Sequence, residues 1–421
     1  MRHDEKAGAN PAAITRDWCV EQDQADPLAD FRDAFLIPDG VIYLDGNSLG
    51  AMANAAPGHA ARVVEREWGA DLIRSWNNAG WFDLPTSLGD TLAPLIGADA
   101  GEVVVTDSVS VNLFKLLWAA ADMRPGRRKI ILEGSNFPTD NYVAQGVAAA
   151  RGLEVVLVER DAIADAIDTD TLAICITHVH YKTGHINDMA ALTARAHAAG
   201  ALAIWDLCHS AGALPVDLNG CDVDFAVGCT YKYLNGGPGS PAFLFVPKRH
   251  IATARQPITG WWGHNAPFAF DKGYTPAPDI RQFLTGTQPI VSLSLVGVGL
   301  DLMRAADMAR VRAKSIALTE TFIALVEQRC AGHGFTLASP RNVDERGSQV
   351  SFAHADGYAI MRALIDRGVI GDFRAPDIVR FGFTPLYVRF ADVWDAVDVL
   401  AEVMDSGAWR DARYAEREAV T

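Results

Sequence analysis

The stretch Ala201-Leu-Ala-Ile-Trp-Asp-Leu-Cys-His-Ser-Ala-Gly212 decides the fold of this chain. It begins as a short apolar run, typical of a buried strand, and turns polar at Asp206 and His209 directly after that run. A second run of this form, Asp222-Val-Asp-Phe-Ala-Val-Gly-Cys-Thr-Tyr-Lys-Tyr233, ends at Lys232. In open α/β sheets, ligands bind at the carboxyl ends of the strands. The acid and the lysine are therefore candidates for one site.

The segments before this stretch repeat the strand and helix alternation of βαβ units, from about residue 101 to 246. Glycines at the ends of the amphipathic segments mark where the predicted helices stop. The pattern predicts strands at residues 129–132, 154–158, 171–177 and 201–205, and helices at residues 111–121, 139–151 and 188–199. We therefore predict an α/β fold with a mostly parallel sheet flanked by helices.

Length, charge and cysteine usage narrow the class of protein. The 421 residues suggest about two domains, and we expect a large domain over residues 46–290 and a smaller α+β domain from residues 1–45 and 291–421. The net charge of −15 argues against nucleic-acid partners. No apolar run approaches the roughly 18 residues of a membrane span. No targeting peptide is visible in residues 1–10, and the six cysteines lack metal-site spacing, so we expect a cytoplasmic protein with reduced thiols and no metal.

The order of Asp206, a further apolar run and Lys232 is the arrangement of fold-type-I pyridoxal-phosphate enzymes. An aspartate paired with the pyridine nitrogen keeps the cofactor ring electron-withdrawing, and a lysine amine forms a Schiff base with it. Spacing alone also fits a solvated loop lysine. The flanking Tyr231 and Tyr233 and the Gly-rich turn at residues 235–239 favour the cofactor interpretation, because such a turn brings backbone close to a ligand.

A phosphate-binding end is predicted at Ser108 and Ser110, which precede the apolar helix at residues 111–121. Helix N-termini offer free N–H groups and a positive dipole end, although a plain N-cap gives the same pattern. Rival nucleotide motifs are excluded. No Walker sequence is present, and Gly237-Pro-Gly-Ser-Pro-Ala242 has two prolines and a following strand where a dinucleotide loop needs a helix.

Seven stretches spread over about residues 30 to 405 resemble the kynureninases. They are Tyr43-Leu-Asp-Gly-Asn-Ser-Leu-Gly50, Asn136-Phe-Pro-Thr-Asp140, Asp206-Leu-Cys-His-Ser-Ala-Gly212, Tyr231-Lys232, Gly260-Trp-Trp-Gly-His264, Gly286-Thr-Gln-Pro-Ile290 and residues 380–387. The resemblance implies a pyridoxal 5′-phosphate cofactor, bound by Lys232 as a Schiff base and by Asp206 at the pyridine nitrogen. The remaining cofactor contacts that it implies are Val109, Ser110, Phe137, Pro138, Thr139, Asp140, Thr177, His209, Tyr231, Trp261 and Thr287.

Within that set, the resemblance gives Phe137 the ring-stacking position and Tyr231 a phosphate contact. Trp261 and Thr287 match positions that kynureninases contribute from the neighbouring subunit, which implies a homodimer with shared sites. Arg380 matches the arginine that holds the substrate α-carboxylate, a task suited to a forked guanidinium. Trp262 is expected near the aryl pocket. Some kynureninases carry other residues at the positions of Trp262 and Thr287. These two positions therefore bear on which substituent the enzyme prefers on the aryl ring of its substrate.

The resulting hypothesis is hydrolytic Cβ–Cγ cleavage of L-kynurenine to anthranilate and L-alanine. Lys232 would remove and return protons, and Tyr231 would relay a proton to the three-carbon fragment, a task that Lys232 could also perform. Asp206 completes the predicted catalytic set. Two alternatives stay open: a class V aminotransferase or cysteine desulfurase, and a non-enzymatic binding protein. The absence of a cysteine on a late mobile loop weakens the desulfurase interpretation.

Overall fold

The computed structural model describes residues 14–416, so the segment inspected for a targeting peptide lies outside the described residues. The helices are α1 Arg16–Gln24, α2 Ala56–Ala61, α3 Ser75–Asn78, α4 Leu84–Leu92, α5 Val109–Met123, α6 Pro138–Arg151, α7 Ile163–Ala166, α8 Met189–Ala198, α9 Lys248–Ile251, α10 Ile290–Ala305, α11 Met308–Arg329, α12 Gly357–Ile365 and α13 Phe390–Ser406. A π-helical segment, Arg62–Asp71, links α2 to the turns before α3.

The strands are two to seven residues long, and most of them belong to two sheets. They are β1 Phe35–Leu36, β2 Ile42–Tyr43, β3 Met52–Ala53, β4 Val103–Val105, β5 Lys129–Glu133, β6 Glu154–Val158, β7 Thr171–Thr177, β8 Leu202–Asp206, β9 Phe225–Gly228, β10 Phe243–Phe245, β11 Thr336–Leu337, β12 Gln349–Ala353, β13 Val369–Ile370, β14 Asp372–Arg374 and β15 Ile378–Gly382. Strands β4 to β10 form one sheet, and most of the later strands form another.

The first sheet has seven strands in the order β4-β10-β9-β8-β7-β5-β6. Neighbours from β9 through β6 pair in parallel, and β10 runs antiparallel to both β4 and β9. The prediction of a mostly parallel sheet flanked by helices is therefore confirmed. Strand β7 has the predicted bounds, and α5 begins two residues earlier than expected, at Val109, because Ser108 is its N-cap.

The second sheet is antiparallel, with the order β11-β12-β15-β14. The amino-terminal part of the chain joins it: β2 pairs in parallel with β13, and Asp45 bridges to Gly382. A short stretch near residue 45 therefore reaches the same place as β15, although the two are far apart in sequence.

The core lies on both faces of the seven-stranded sheet. One apolar cluster includes Ile131, Ile174 and Trp205, and another includes Ile130, Leu132 and Leu244 on the opposite face. Alternate residues of one strand thus enter different clusters, as the pleat requires. Within residues 14–416 all six cysteines are free thiols, and five of them are buried. No helix among these residues is long and apolar enough to span a membrane.

Candidate active site

The polar segments that follow the strands meet in one cavity of about 430 Å³ at the carboxyl edge of the parallel sheet. Its walls come from the ends of β4, β5, β7 and β8, the segment after β9, and the second sheet. Eleven of the predicted site residues line it: Val109, Ser110, Phe137, Thr139, Asp140, Thr177, Asp206, His209, Tyr231, Lys232 and Arg380. The position of a catalytic site at strand ends follows from the topology.

One end of the cavity is the N-terminus of α5. Ser108 caps the helix, its Oγ accepting from the backbone N–H of Val111 at 3.3 Å. Val109 and Ser110 lie in the first turn, whose N–H groups have no partner within the helix. Gly239 and Ser240, from the turn before β10, line the cavity with them. This end offers N–H and hydroxyl donors in the positive field of a fifteen-residue helix, which suits a phosphate.

Lys232 lines the same cavity, half-buried, in the segment that follows β9. Its Nζ is 2.9 Å from Nε2 of His209. Burial, with the nearby cations Lys232 and Arg380, lowers the pKa of His209 well below its usual range. His209 is therefore a neutral imidazole that meets the lysine amine.

Asp206 ends β8 and shares the cavity with a second carboxyl group, Asp140, on the first turn of α6. Burial and the adjacent Asp206 raise the pKa of Asp140 well above its usual range. Asn136 donates through Nδ2 to Asp140 Oδ2 at 2.9 Å, and the backbone N–H of Cys208 donates to Asp206 Oδ1 at 2.8 Å. The pair can thus hold a proton close to Asp206, where a protonated ring nitrogen would bind.

Two aromatic side chains border the space between these ends. Phe137, the residue before α6, is 46% exposed and meets the ring of Tyr181 edge-on at 5.4 Å. Tyr231 is half-buried, and burial is the main cause that raises the pKa of its hydroxyl above the ordinary value. A phenol in that state keeps its proton at neutral pH and can donate it. Thr177 is in register with Asp206 on the neighbouring strand.

Arg380 enters the cavity from β15 and is 1% exposed. Its Nε donates to Asp372 Oδ1 at 2.7 Å, and its Nη2 donates to Asp372 Oδ2 and to Ser48 Oγ. Nη1 donates to the Tyr181 carbonyl. The fork of the guanidinium is thus occupied by Asp372, and one N–H on Nη1 is left for a ligand.

Four predicted site residues do not line this cavity: Pro138, Trp261, Trp262 and Thr287. Pro138 is the first residue of α6, and Thr287 is exposed just before α10. Trp261 borders a separate cavity of about 740 Å³ with Trp76, Phe82, Phe268 and Phe270. Trp262 is buried behind it, stacked between Trp261 and Phe82. The structure therefore does not bring these side chains to Lys232 within one chain.

The structure also adds residues to which the sequence analysis gave no role. Asn47, Ser48, Tyr181 and Arg374 line the cavity, and Asp372 holds Arg380 in place. Asn47 is fully buried, and neither polar atom of its amide has a hydrogen-bond partner among the described residues. The available signal was the polar Asn47-Ser48 pair in the motif at residues 43–50, and the alternation of Asp372 and Arg374 before Arg380.

These residues fit pyridoxal phosphate. The donors at the start of α5 suit its phosphate, the carboxyl pair of Asp206 and Asp140 suits its ring nitrogen, and Lys232 lines the same cavity. The amide of Asn47 has no hydrogen-bond partner among the described residues, so the cavity still offers hydrogen-bonding groups to a polar ligand.

Solved structures of similar fold are pyridoxal-phosphate enzymes. A cysteine desulfurase from Thermococcus onnurineus NA1 superimposes with a TM-score of 0.76 at 18% identity, covering 90% of this chain and 98% of that one. A mutant of C-DES with glycine covalently linked to its PLP cofactor has a TM-score of 0.77 at 17% identity, covering 88% and 99%. At these identities the likeness concerns the fold.

Sequence comparison is more specific. The kynureninase of Burkholderia pseudomallei (strain K96243) is 57% identical over 414 residues, which are 97% of this chain and all of that protein. The kynureninase of Pseudomonas fluorescens is 55% identical with the same coverage. A model of the kynureninase C-terminal domain matches residues 311–400. The chain belongs to the kynureninase family.

Proposed function

We propose that this enzyme hydrolyses L-kynurenine to anthranilate and L-alanine, using pyridoxal 5′-phosphate held in the 430 Å³ cavity. The observation that carries the proposal is the meeting of Asp206, Lys232 and Arg380 in that one cavity, in a chain with full-length kynureninase relatives. The three side chains supply a partner for the ring nitrogen, an amine for the cofactor aldehyde and a cation for an α-carboxylate.

The bound cofactor supplies an electron sink for bonds at the substrate's α- and β-carbons. In this proposal the α5 N-terminus, with Val109 and Ser110, holds its phosphate, and Phe137 packs on its ring. Thr139, Thr177 and His209 complete the contacts. Asp206 keeps a proton on the ring nitrogen, and Asp140, whose pKa burial and Asp206 raise, stores a further proton beside it.

Lys232 is the base at the substrate α-carbon. As a free amine, its Nζ would meet only the neutral His209 among the hydrogen-bond partners described for residues 14–416. From there it could take the proton of the substrate α-carbon and hold it in the cavity.

Tyr231 donates the proton that the three-carbon fragment needs after anthranilate leaves. Its hydroxyl is protonated at neutral pH, because the pKa of a tyrosine is ordinarily about 10 and burial raises it further, and it lines the cavity next to Lys232. The substrate carboxylate takes the remaining N–H of Arg380. Ser48, which is bonded to the same guanidinium, keeps that N–H in position.

The first test is the Lys232→Ala variant. Purified wild-type protein should be yellow and release fluorescent anthranilate from kynurenine with no keto-acid present. Lys232→Ala should lose the visible absorbance and the activity together. As a matched control, Lys272→Ala changes an exposed lysine far along the chain and should keep both. Unchanged absorbance in Lys232→Ala would refute the lysine assignment, and stoichiometric keto-acid consumption would indicate an aminotransferase instead.

We also propose that two copies of the chain share their sites. Support comes from an exposed aromatic surface: Phe268 is 65% exposed, Phe270 80% and Trp261 36%, beside the second cavity. Aromatic patches of this kind are typical of protein interfaces. In a homodimer, Trp261 and Thr287 would reach the partner's cofactor cavity, and Trp262 would support Trp261 from behind.

The homodimer is tested by Phe270→Glu, which places a charge on the aromatic surface. Sedimentation velocity should show a dimer for the wild type and a monomer for the variant, with weaker cofactor binding. Leu157→Glu is the control, because Leu157 is also exposed but lies on β6 at the other edge of the sheet. A wild-type monomer would contradict the proposal. The domain boundaries and a cytoplasmic location stay predictions.

A further inference from the structure

Gln349 reaches the active site from the second sheet. It is the first residue of β12, and its side chain is fully buried. Its Nε2 donates to the carbonyl of Tyr181 at 2.7 Å, and its Oε1 lies 3.1 Å from Nδ1 of His209. A chain of contacts thus runs from the second sheet through His209 to Lys232, whose Nζ is 2.9 Å from Nε2 of the same ring.

The orientation of the Gln349 amide is fixed by its surroundings. Nε2 faces two carbonyl oxygens, those of Tyr181 and, at 3.4 Å, His180. A flipped amide would place Oε1 against these acceptors. The loop also packs closely on the side chain, since a Cβ on Gly184, which has φ of +74°, would come within 2.8 Å of Gln349 Cγ. Oε1 therefore faces His209.

This orientation determines where His209 carries its proton. An amide oxygen can only accept, so Nδ1 must be the protonated nitrogen of the ring. Burial and the cations Lys232 and Arg380 keep the pKa of His209 far below the usual value, so the ring carries a single proton. Nε2 is then bare and accepts a hydrogen bond from Lys232.

We propose that Gln349 is a positioning residue that holds His209 in the Nδ1–H tautomer and thereby keeps Nε2 as the acceptor that anchors Nζ of Lys232. With the opposite tautomer, Nε2–H would face the cationic Nζ, which can only donate, and the anchor would be lost. With the observed tautomer, one N–H of Lys232 is held by His209 and the rest of Nζ stays open to the cavity. The inference rests on the proposed function, which makes Lys232 the base.

The test measures the nucleophilicity of Lys232 directly in the cofactor-free full chain. Gln349→Met keeps the volume of the side chain and removes the acceptor, so the Nε2–H tautomer becomes available. Trinitrobenzenesulfonate labels free amines through their lone pairs, and peptide mass spectrometry reports each lysine separately. At neutral pH we expect labelling of Lys232 to become about tenfold faster, because one hydrogen bond that stabilises its charged form is lost, while exposed Lys272, in the same digest, is unchanged.

Ser351→Ala is the matched control. Ser351 lies on the same strand, and its Oγ donates to the carbonyl of Lys182 in the same loop at 2.6 Å, without touching His209. Its loss should weaken the loop anchor and leave Lys232 labelling at the wild-type rate. An equal change of rate in both variants would show a merely structural role and overturn the proposal, as would an unchanged or slower rate in Gln349→Met.

If Gln349→Met does not fold, a second measurement on the wild-type chain tests the proposal. The ¹⁵N spectrum of histidine-labelled wild-type chain distinguishes the two tautomers, and the His209 signals are those missing from His209→Asn. A proton on Nδ1 is expected, and a proton on Nε2 overturns the proposal. Neither readout involves kynurenine, so a chain that passes both tests but fails to release anthranilate would refute the proposed function alone.

Discussion

Arg380 and Asp372 form a buried ion pair whose geometry limits how a substrate can bind. The carboxylate of Asp372 takes the fork of the guanidinium, so Arg380 meets a second carboxylate with one N–H and with its charge. Removing Asp372 would leave the buried charge of Arg380 unpaired, which destabilises proteins by several kcal/mol, whereas removing Arg380 would leave Asp372 with Arg374 alone. A useful substitution must therefore keep the charge.

We predict that Arg380→Lys raises the KM for kynurenine by about tenfold, corresponding to roughly 1.4 kcal/mol of lost charged hydrogen bonding. A lysine can pair with Asp372 but has no further planar N–H to offer the substrate. The visible absorbance of the cofactor should be unchanged. Steady-state kinetics provide the measurement, with Arg341→Lys, in an exposed pair with Glu327, as the control. An unaltered KM would remove Arg380 from the carboxylate role.

The sequence was informative for residues that directly follow strands. Asp206, Thr177 and Lys232 could be placed at one edge because parallel strands end together. Gln349 and Asp372 could not, because they come from a second sheet, and their contacts depend on how that sheet packs on the first. No periodicity or spacing encodes a contact between segments so distant in the chain.

At the scale of elements, two serines at the start of α5 have different roles, one in helix stability and one in the cavity. Ser108 caps the helix through its side chain, whereas Ser110 lies in the first turn and lines the cavity. We predict that Ser108→Ala lowers the free energy of unfolding of the cofactor-free protein by about 1 kcal/mol, the usual cost of a lost N-cap. Ser110→Ala should leave that free energy unchanged and weaken cofactor binding.

Denaturant titration of the cofactor-free variants and equilibrium titration with pyridoxal phosphate separate these effects. If Ser110→Ala binds the cofactor as tightly as the wild type, the phosphate does not contact its hydroxyl. If Ser108→Ala unfolds like the wild type, the cap is not what starts the helix.

Element boundaries were predicted best where local chemistry sets them. The bounds of β7 and β6 match, because turn residues flank both apolar runs, of which β7 is buried throughout and β6 only in part. The antiparallel direction of β10 was not predicted, because it depends on the path of the turn between β9 and β10. The π-helical segment Arg62–Asp71 was not foreseen either, since its extra residue per turn leaves no mark in an amphipathic pattern.

At the scale of the whole molecule, Asp45 joins the amino-terminal segment to the second sheet. It bridges to Gly382 and is half-buried near Asp372, and this partial burial, followed by the repulsion of Asp372, raises its pKa to about 7. A raised acid pKa means that the folded state binds the proton more tightly than the unfolded state. Stability from this group is complete below the unfolded pKa of about 4 and is lost as the pH rises through 7.

We therefore predict that the unfolding free energy of the wild type falls between pH 5 and pH 8 and that Asp45→Asn removes roughly 2–3 kcal/mol of that fall. Asparagine keeps the shape of the side chain and cannot ionise. Urea denaturation at the two pH values gives the difference. Asp39→Asn, in an exposed position nearby, is the control. Parallel pH profiles for the wild type and Asp45→Asn would contradict the prediction.

The general architecture followed from the strand and helix alternation between residues 101 and 246. The way in which the chain's first and last thirds meet did not, because β2 and β13 are two-residue strands with no pattern of their own. The aromatic surface around Phe268 could not be predicted either, because it is formed by side chains near positions 76, 82, 261 and 268, which are brought together only in the folded chain.

The buried lysine of α5 ties two parts of the site into one unit. Lys115 Nζ donates to Asp107 Oδ2 and to the carbonyl of Phe283, both at 2.6 Å, and Gln288 accepts from the Asp107 backbone at 3.3 Å. Opening the loop before α5 therefore requires breaking its anchor to residues 283–288. In hydrogen exchange, the amides of these two segments should open together and gain protection together when the cofactor binds.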